Sequence, residues 1–190
     1  MKPLTAFGRT RLRPVTLAAA LAAVAALGTA GPAAGSARTA STRTESAHLL
    51  QCQGVETVGY DPALTFQRKP VTVTINGSFS SCADSGAQVT SGSYAERFTI
   101  AGASCDDLLE GFTTRRTFRW QNGTTSVIEA TGSSNAVAGQ VITTITGTIV
   151  EGYLQGAKAV EVITLPQPGA LECSTTGVTG ASGPTTLTVG

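Results

Sequence analysis

The chain has 190 residues, with 13 basic against 12 acidic, 41% hydrophobic and only 13% charged. That length supports one domain and a sizeable core. The near-neutral balance excludes the concentrated Lys/Arg surface that nucleic acid and anionic membranes attract.

Residues 1–37 read as a Sec-type signal peptide. Lys2, Arg9, Arg11 and Arg13 make a positive n-region, and Val15–Leu27 is an Ala/Leu/Val-rich run broken only by Thr16. Small residues at Gly28-Thr29-Ala30 and Gly35-Ser36-Ala37 offer cleavage signals. The run is short of the ~20 apolar residues that span a bilayer, so no membrane insertion is expected after cleavage. Removing this segment takes four of the 13 basic residues and none of the 12 acidic ones, leaving nine against 12 and a net charge of −3. Residues 38–48 form a Ser/Thr/Arg-rich flexible leader, ending at His48, the one histidine, which is read as a surface residue. A single domain over 49–190 follows.

Regular structure is expected from Cys52. Val55–Val58 is a short strand, Gly59-Tyr60-Asp61-Pro62 a turn, and Leu64–Phe66 a stub. Val71, Val73, Ile75 and Phe79 then alternate with Thr72, Thr74, Asn76 and Ser78, the period of two of a half-buried strand. Gly77 falls on the apolar face, marking a bulge or a close approach. Tyr94, Phe98 and Ile100 alternate with Ala95, Arg97 and Thr99, although Glu96 interrupts the apolar side. Ala101–Leu109 is a connection. Asn122-Gly123 predicts a two-residue type I′ hairpin turn, which sets Trp120 opposite Thr125, Phe118 opposite Val127 and Arg116 opposite Glu129. Val141–Ile149 is a Thr-rich strand, Gly152–Gly156 a loop, and Ala159–Leu165 its return strand ended by Pro166. Gln167–Gly183 reads as irregular, and Leu187 and Val189 make a last strand.

Seven to nine strands without a helical period predict an all-β fold: an antiparallel β-sandwich of Ig-like, Greek-key character, with a closed β-barrel as the alternative. Cys52, Cys82, Cys105 and Cys173 lack the close pairs of a zinc site, and an even number in an exported chain reads as two disulfides. Antiparallel neighbours bring the start of the first strand to the end of the second, and the Phe112 strand's start to the Leu165 strand's end. The expected bridges are Cys52–Cys82 and Cys105–Cys173.

The segments Cys52–Leu64, Gly77–Cys82, Ser91–Tyr94 and Gly152–Gly156, with the four-cysteine layout, resemble a group of uncharacterised secreted proteins of Streptomyces and related actinomycetes. The resemblance implies export from such a bacterium and carries no catalytic or binding residues.

Three groups of residues are candidates for chemistry. Asp106, Asp107 and Glu110 form the densest acidic cluster, a weak Ca²⁺ candidate whose spacing matches no calcium loop, or an acid/base pair for glycoside hydrolysis. Trp120, with Tyr94 and Tyr153, is the candidate ligand surface, an aromatic platform for sugars. With one histidine at the edge of a leader, no Ser/His or Cys/His pair assembles, and no G-x-S-x-G, G-x-G-x-x-G or P-loop is present. No catalytic residue and no cofactor is assigned. The expected function is non-enzymatic extracellular recognition of a protein or polysaccharide partner, with a carbohydrate-binding module and a hydrolase as alternatives.

Overall fold

In the computed structural model, which describes residues 48–190, the chain forms strands β1 (Leu50–Leu64), β2 (Lys69–Asp84), β3 (Gly92–Ala103), β4 (Phe112–Trp120), β5 (Thr125–Val137), β6 (Gln140–Gly152), β7 (Lys158–Pro166) and β8 (Val178–Val189). A 3-10 turn at Cys105–Leu109 precedes β4, and a short helix α1 (Ala170–Ser174) precedes β8. The expected signal peptide, and all of the leader except His48, lie outside the described residues.

Every strand pairs antiparallel with its neighbour in sequence, and β8 returns to β1, so the sheet is a closed up-and-down barrel and not a sandwich. The difference rests on β8. Its central residues, Thr179–Thr186, are small and polar and carry no apolar alternation, yet Gly54–Gly59 of β1 pairs with Gly180–Thr185 throughout. Period-two alternation says which face of a strand is buried; it does not say whether the buried faces meet across two sheets or around one axis.

The hairpin between β4 and β5 is also shifted by one residue from its expected register. Its loop is Gln121-Asn122-Gly123: the Gly123 N–H donates to the Trp120 carbonyl at 3.0 Å, and the Trp120 N–H to the Thr124 carbonyl at 2.9 Å. Only Gly123 takes a positive φ, +83°, as a three-residue loop with a closing left-handed position requires. Asn122 accepts from the Thr124 N–H at 3.0 Å and from its hydroxyl at 2.7 Å, which fixes the turn from within. Arg115 therefore lies opposite Glu129, and Arg116 opposite Ile128.

The interior divides along the barrel axis. At the end holding Leu50, Trp120 and Val189, the rings of Phe79, Tyr94, Phe118 and Trp120 pack with centroids 5.6 to 6.3 Å apart and plug the lumen. Gly77 is the close approach expected there: a Cβ would fall 1.9 Å from the Tyr94 ring, so glycine is needed for that ring to lie across β2. At the other end a smaller cluster, Leu64, Val71, Ala103, Cys173 and Val178, leaves the lumen unfilled.

Cys52 is joined to Cys82 across the β1–β2 ladder, and Cys105 to Cys173, which ties the 3-10 turn to α1 at the open end. Two disulfides are consistent with an extracellular protein. The second closes a sequence separation of 68 residues, which chain-entropy reasoning values at about 4 kcal/mol. The double variant Cys105→Ser/Cys173→Ser is expected to lose about 2–5 kcal/mol in urea unfolding, and no loss would mean the tie is without structural consequence.

Candidate functional site

The strand ladder is incomplete at one seam. β3 pairs with β2 along its length but with β4 only at Gly92–Trp120 and Ser93–Arg119. Beyond those pairs the two strands diverge, because their connection is no tight hairpin. It runs through the Cys105–Leu109 turn, which the disulfide holds to α1 and the Cys105 N–H holds to the Thr65 carbonyl at 2.9 Å. Arg68 pins the same region by donating to the Gly102 carbonyl at 2.9 Å and to Asp107. Inner-face side chains that a complete ladder would cover are thereby uncovered: Phe98, Ile100 and Phe112 are 45%, 42% and 41% exposed.

Inside the seam lies a cavity of about 220 Å³, walled by Val58, Leu64, Val73, Ile75, Val141 and Leu165 among others, with Glu56 at its inner end. It runs into a wider cleft of about 730 Å³ on the seam, which shares Ile75, Phe98, Ile100 and Phe112 with it.

Between this cavity and the aromatic plug sits a buried charge cluster drawn from four strands. Arg116 of β4 donates through Nε to Glu96 of β3 at 2.6 Å, and through Nη1 to Glu161 of β7 at 2.6 Å and to Glu56 of β1 at 3.4 Å. Its guanidinium stacks 4.2 Å over the Tyr94 ring, whose hydroxyl donates to Glu56 at 2.8 Å. The Thr185 hydroxyl of β8 donates to Glu161 at 3.3 Å. The Glu96–Arg116 pair bridges the two strands where their ladder has stopped, so the Glu96 that interrupted an apolar pattern has a structural task. Loss of hydration on burial raises the carboxyls of Glu56 and Glu161 above their ordinary range, although the Arg116 charge pulls both down. Burial, with the nearby Glu56 charge, pushes the Tyr60 hydroxyl up to about 12.

The three aromatic candidates do not make a platform. Trp120 and Tyr94 are 4% and 2% exposed, inside the plug. The indole N–H of Trp120 donates to the Ser126 hydroxyl at 2.9 Å, which donates on to the Tyr153 carbonyl at 2.6 Å. Tyr153 sits half-buried outside the plug, with its hydroxyl donating to Asp84 at 2.8 Å. Asp84 is an enclosed anchor at the closed end. It lies 2.5 Å from His48 Nε2 and accepts the N–H groups of Gly86, Gln88 and Val89 at 3.0, 2.9 and 2.9 Å. Burial alone would raise its carboxyl, but these hydrogen bonds outweigh it and hold it well below the usual range. His48 is thus clasped to the barrel and stands at the end remote from the cavity.

The acidic cluster stays at the connection between β3 and β4, its members engaged separately. Asp107 accepts from the Ser104 N–H at 2.8 Å and hydroxyl at 3.1 Å, capping the 3-10 turn, and pairs with Arg68. Asp106 stays on that turn and Glu110 stands exposed at the cavity mouth. Among the described residues no group of three His, Cys, Asp or Glu side chains is placed to hold a metal ion.

Glu56, Glu161 and Arg116 are the site residues that sequence reasoning passed over or paired wrongly. Their one signal was parity: each is a charged residue on the inward face two positions before an apolar one, Glu56 before Val58, Arg116 before Phe118 and Glu161 before Ile163. Comparison of the chain with protein-family models, with curated proteins and with solved structures finds no match.

Proposed function

We propose that this chain is an exported, non-enzymatic binding protein that takes a small, mainly apolar molecule into the open half of its barrel through the seam between β3 and β4. The recognition role expected from the sequence is retained, and its target moves from a macromolecular partner to a small molecule. The observation that carries the reading is the apolar-walled cavity of about 220 Å³ continuous with the uncovered Phe98, Ile100 and Phe112. A void of ~150 Å³ lined by aliphatic and aromatic groups is enough for a benzene-sized guest, and apolar walls with a few convergent polar groups are the usual character of ligand sites. Export is supported by the basic and apolar leader and by the two disulfides.

Nile red, a neutral dye that brightens and shifts blue in apolar surroundings, tests this directly. Saturable binding to the wild type is expected, together with at least tenfold weaker binding to Ile100→Trp, which fills the seam at an already exposed position. Absent binding, or equal binding by the two proteins, would overturn the proposal.

A further inference from the structure

The charge at the inner end of the cavity points to one ligand class. We propose that the open half of the barrel selects a cationic amphiphile, a primary amine on a short apolar body, whose ammonium group sits against Glu56. This rests on the binding role proposed above.

The lining of the inner cavity includes three carboxyl side chains, Glu56, Asp107 and Glu110, and no Lys or Arg. Asp107 is engaged by Arg68 and Ser104, and Glu110 lies at the mouth. Glu56 is different. It is 4% exposed, and one oxygen, Oε2, takes both of its hydrogen bonds, from the Tyr94 hydroxyl and from Arg116. Its other oxygen, Oε1, has no hydrogen-bond donor among the described residues. No fully enclosed side-chain oxygen or nitrogen there lacks a partner, so Oε1 opens onto the cavity that Glu56 lines. A buried carboxylate oxygen facing an apolar space is an acceptor awaiting a donor.

The groups around Glu56 settle the sign. Glu96 faces it from β3, Glu161 from β7 and Arg116 from β4, with the uncharged Tyr60, Tyr94 and Thr185 completing the shell. One guanidinium already serves three carboxyl groups, so an anionic guest would meet carboxyl oxygens and, among the described residues, no free cation, whereas an ammonium can donate to them. Arg68, Arg97 and Arg115 line only the outer cleft, where an anion would be held short of the inner cavity. Burial raises the Glu56 carboxyl, and a bound cation favours its ionised form. Amine binding therefore tightens as pH rises through the raised value, as long as the amine stays protonated.

The test compares n-octylamine, 1-octanol and n-octanoate as competitors for Nile red at neutral pH. The amine is expected to bind at least tenfold tighter than the alcohol or the carboxylate. Glu56→Gln keeps the shape, removes the ionisable group and is expected to abolish that preference, bringing octylamine and octanol to within about twofold of each other. Repeating the competition from pH 4 to pH 8 reads the same claim without a variant: the advantage of octylamine over octanol grows as pH rises through the raised Glu56 value. Nile red binding without amine preference, a preference retained by Glu56→Gln, or a preference that does not grow between pH 4 and pH 8 would each overturn this proposal alone. Absent Nile red binding would overturn the underlying binding role as well.

Discussion

Replacing Arg116 with leucine is expected to destabilise the barrel by about 3–5 kcal/mol at neutral pH, the cost of leaving buried charge without its partner. The residue is the single cation among Glu56, Glu96 and Glu161, and it also carries the stacking contact to Tyr94 and the bridge across the unpaired seam. The loss should shrink at mildly acidic pH, where protonated carboxyl groups need no counter-charge. The wild type should show a related trend. Glu56 and Glu161 are raised in the folded state, so they bind protons more readily there than in the unfolded chain. Their contribution is fully present below the ordinary glutamate value and is lost as pH rises through the raised values. Asp84 and Asp107 act oppositely: they are held low when folded, stabilise above the ordinary aspartate value and lose that effect as pH falls. Stability should therefore be greatest in mild acid. Urea unfolding of both proteins between pH 3 and 9 measures this. A cost for Arg116→Leu below about 1 kcal/mol, or one independent of pH, would contradict the assignment.

Phe118→Ala is expected to cost a similar ~3–5 kcal/mol, through lost burial and the void left behind. The ring is fully buried, with centroids 5.9 Å from Phe79, 5.6 Å from Tyr94 and 5.8 Å from Trp120. These neighbours are held by cross-strand pairing and by the Trp120–Ser126 hydrogen bond, so the gap cannot collapse fully. Because the plug fills the end opposite the cavity, folded Phe118→Ala should bind Nile red with affinity close to that of the wild type. A small stability loss, or a large binding loss, would show that the two ends of the barrel are not separate in function.

The strand interiors were legible where alternation is local: Val71 to Phe79 is buried on the face its pattern names, whereas Tyr94–Ile100 forms the expected strand with Phe98 and Ile100 left exposed at the seam. Closure was not, because it depends on pairing Gly54–Gly59 with Gly180–Thr185, segments whose small residues carry no pattern. The hairpin register failed for a different reason. Asn-Gly is compatible with a two-residue loop, and the Asn122 side chain bonding to Thr124 selects the three-residue loop instead. That single slip exchanged partners: Arg115 pairs with Glu129 and Glu151 on the outside, while Arg116 turns to the buried glutamates. The site itself gathers side chains from β1, β3, β4 and β7, and no one of these strands announces the others. The seam is a property of a ladder that stops after two residue pairs, which no local pattern encodes.

Amide NMR of the ¹⁵N-labelled protein titrated with 1-octanol tests the central claim most directly. The binding role predicts saturable shifts concentrated on Val58, Val73, Ile100, Phe112 and Val141, with the Trp120 indole signal unmoved. Shifts gathered at the Trp120 end or spread over the outer face, or no saturable shift at all, would contradict it.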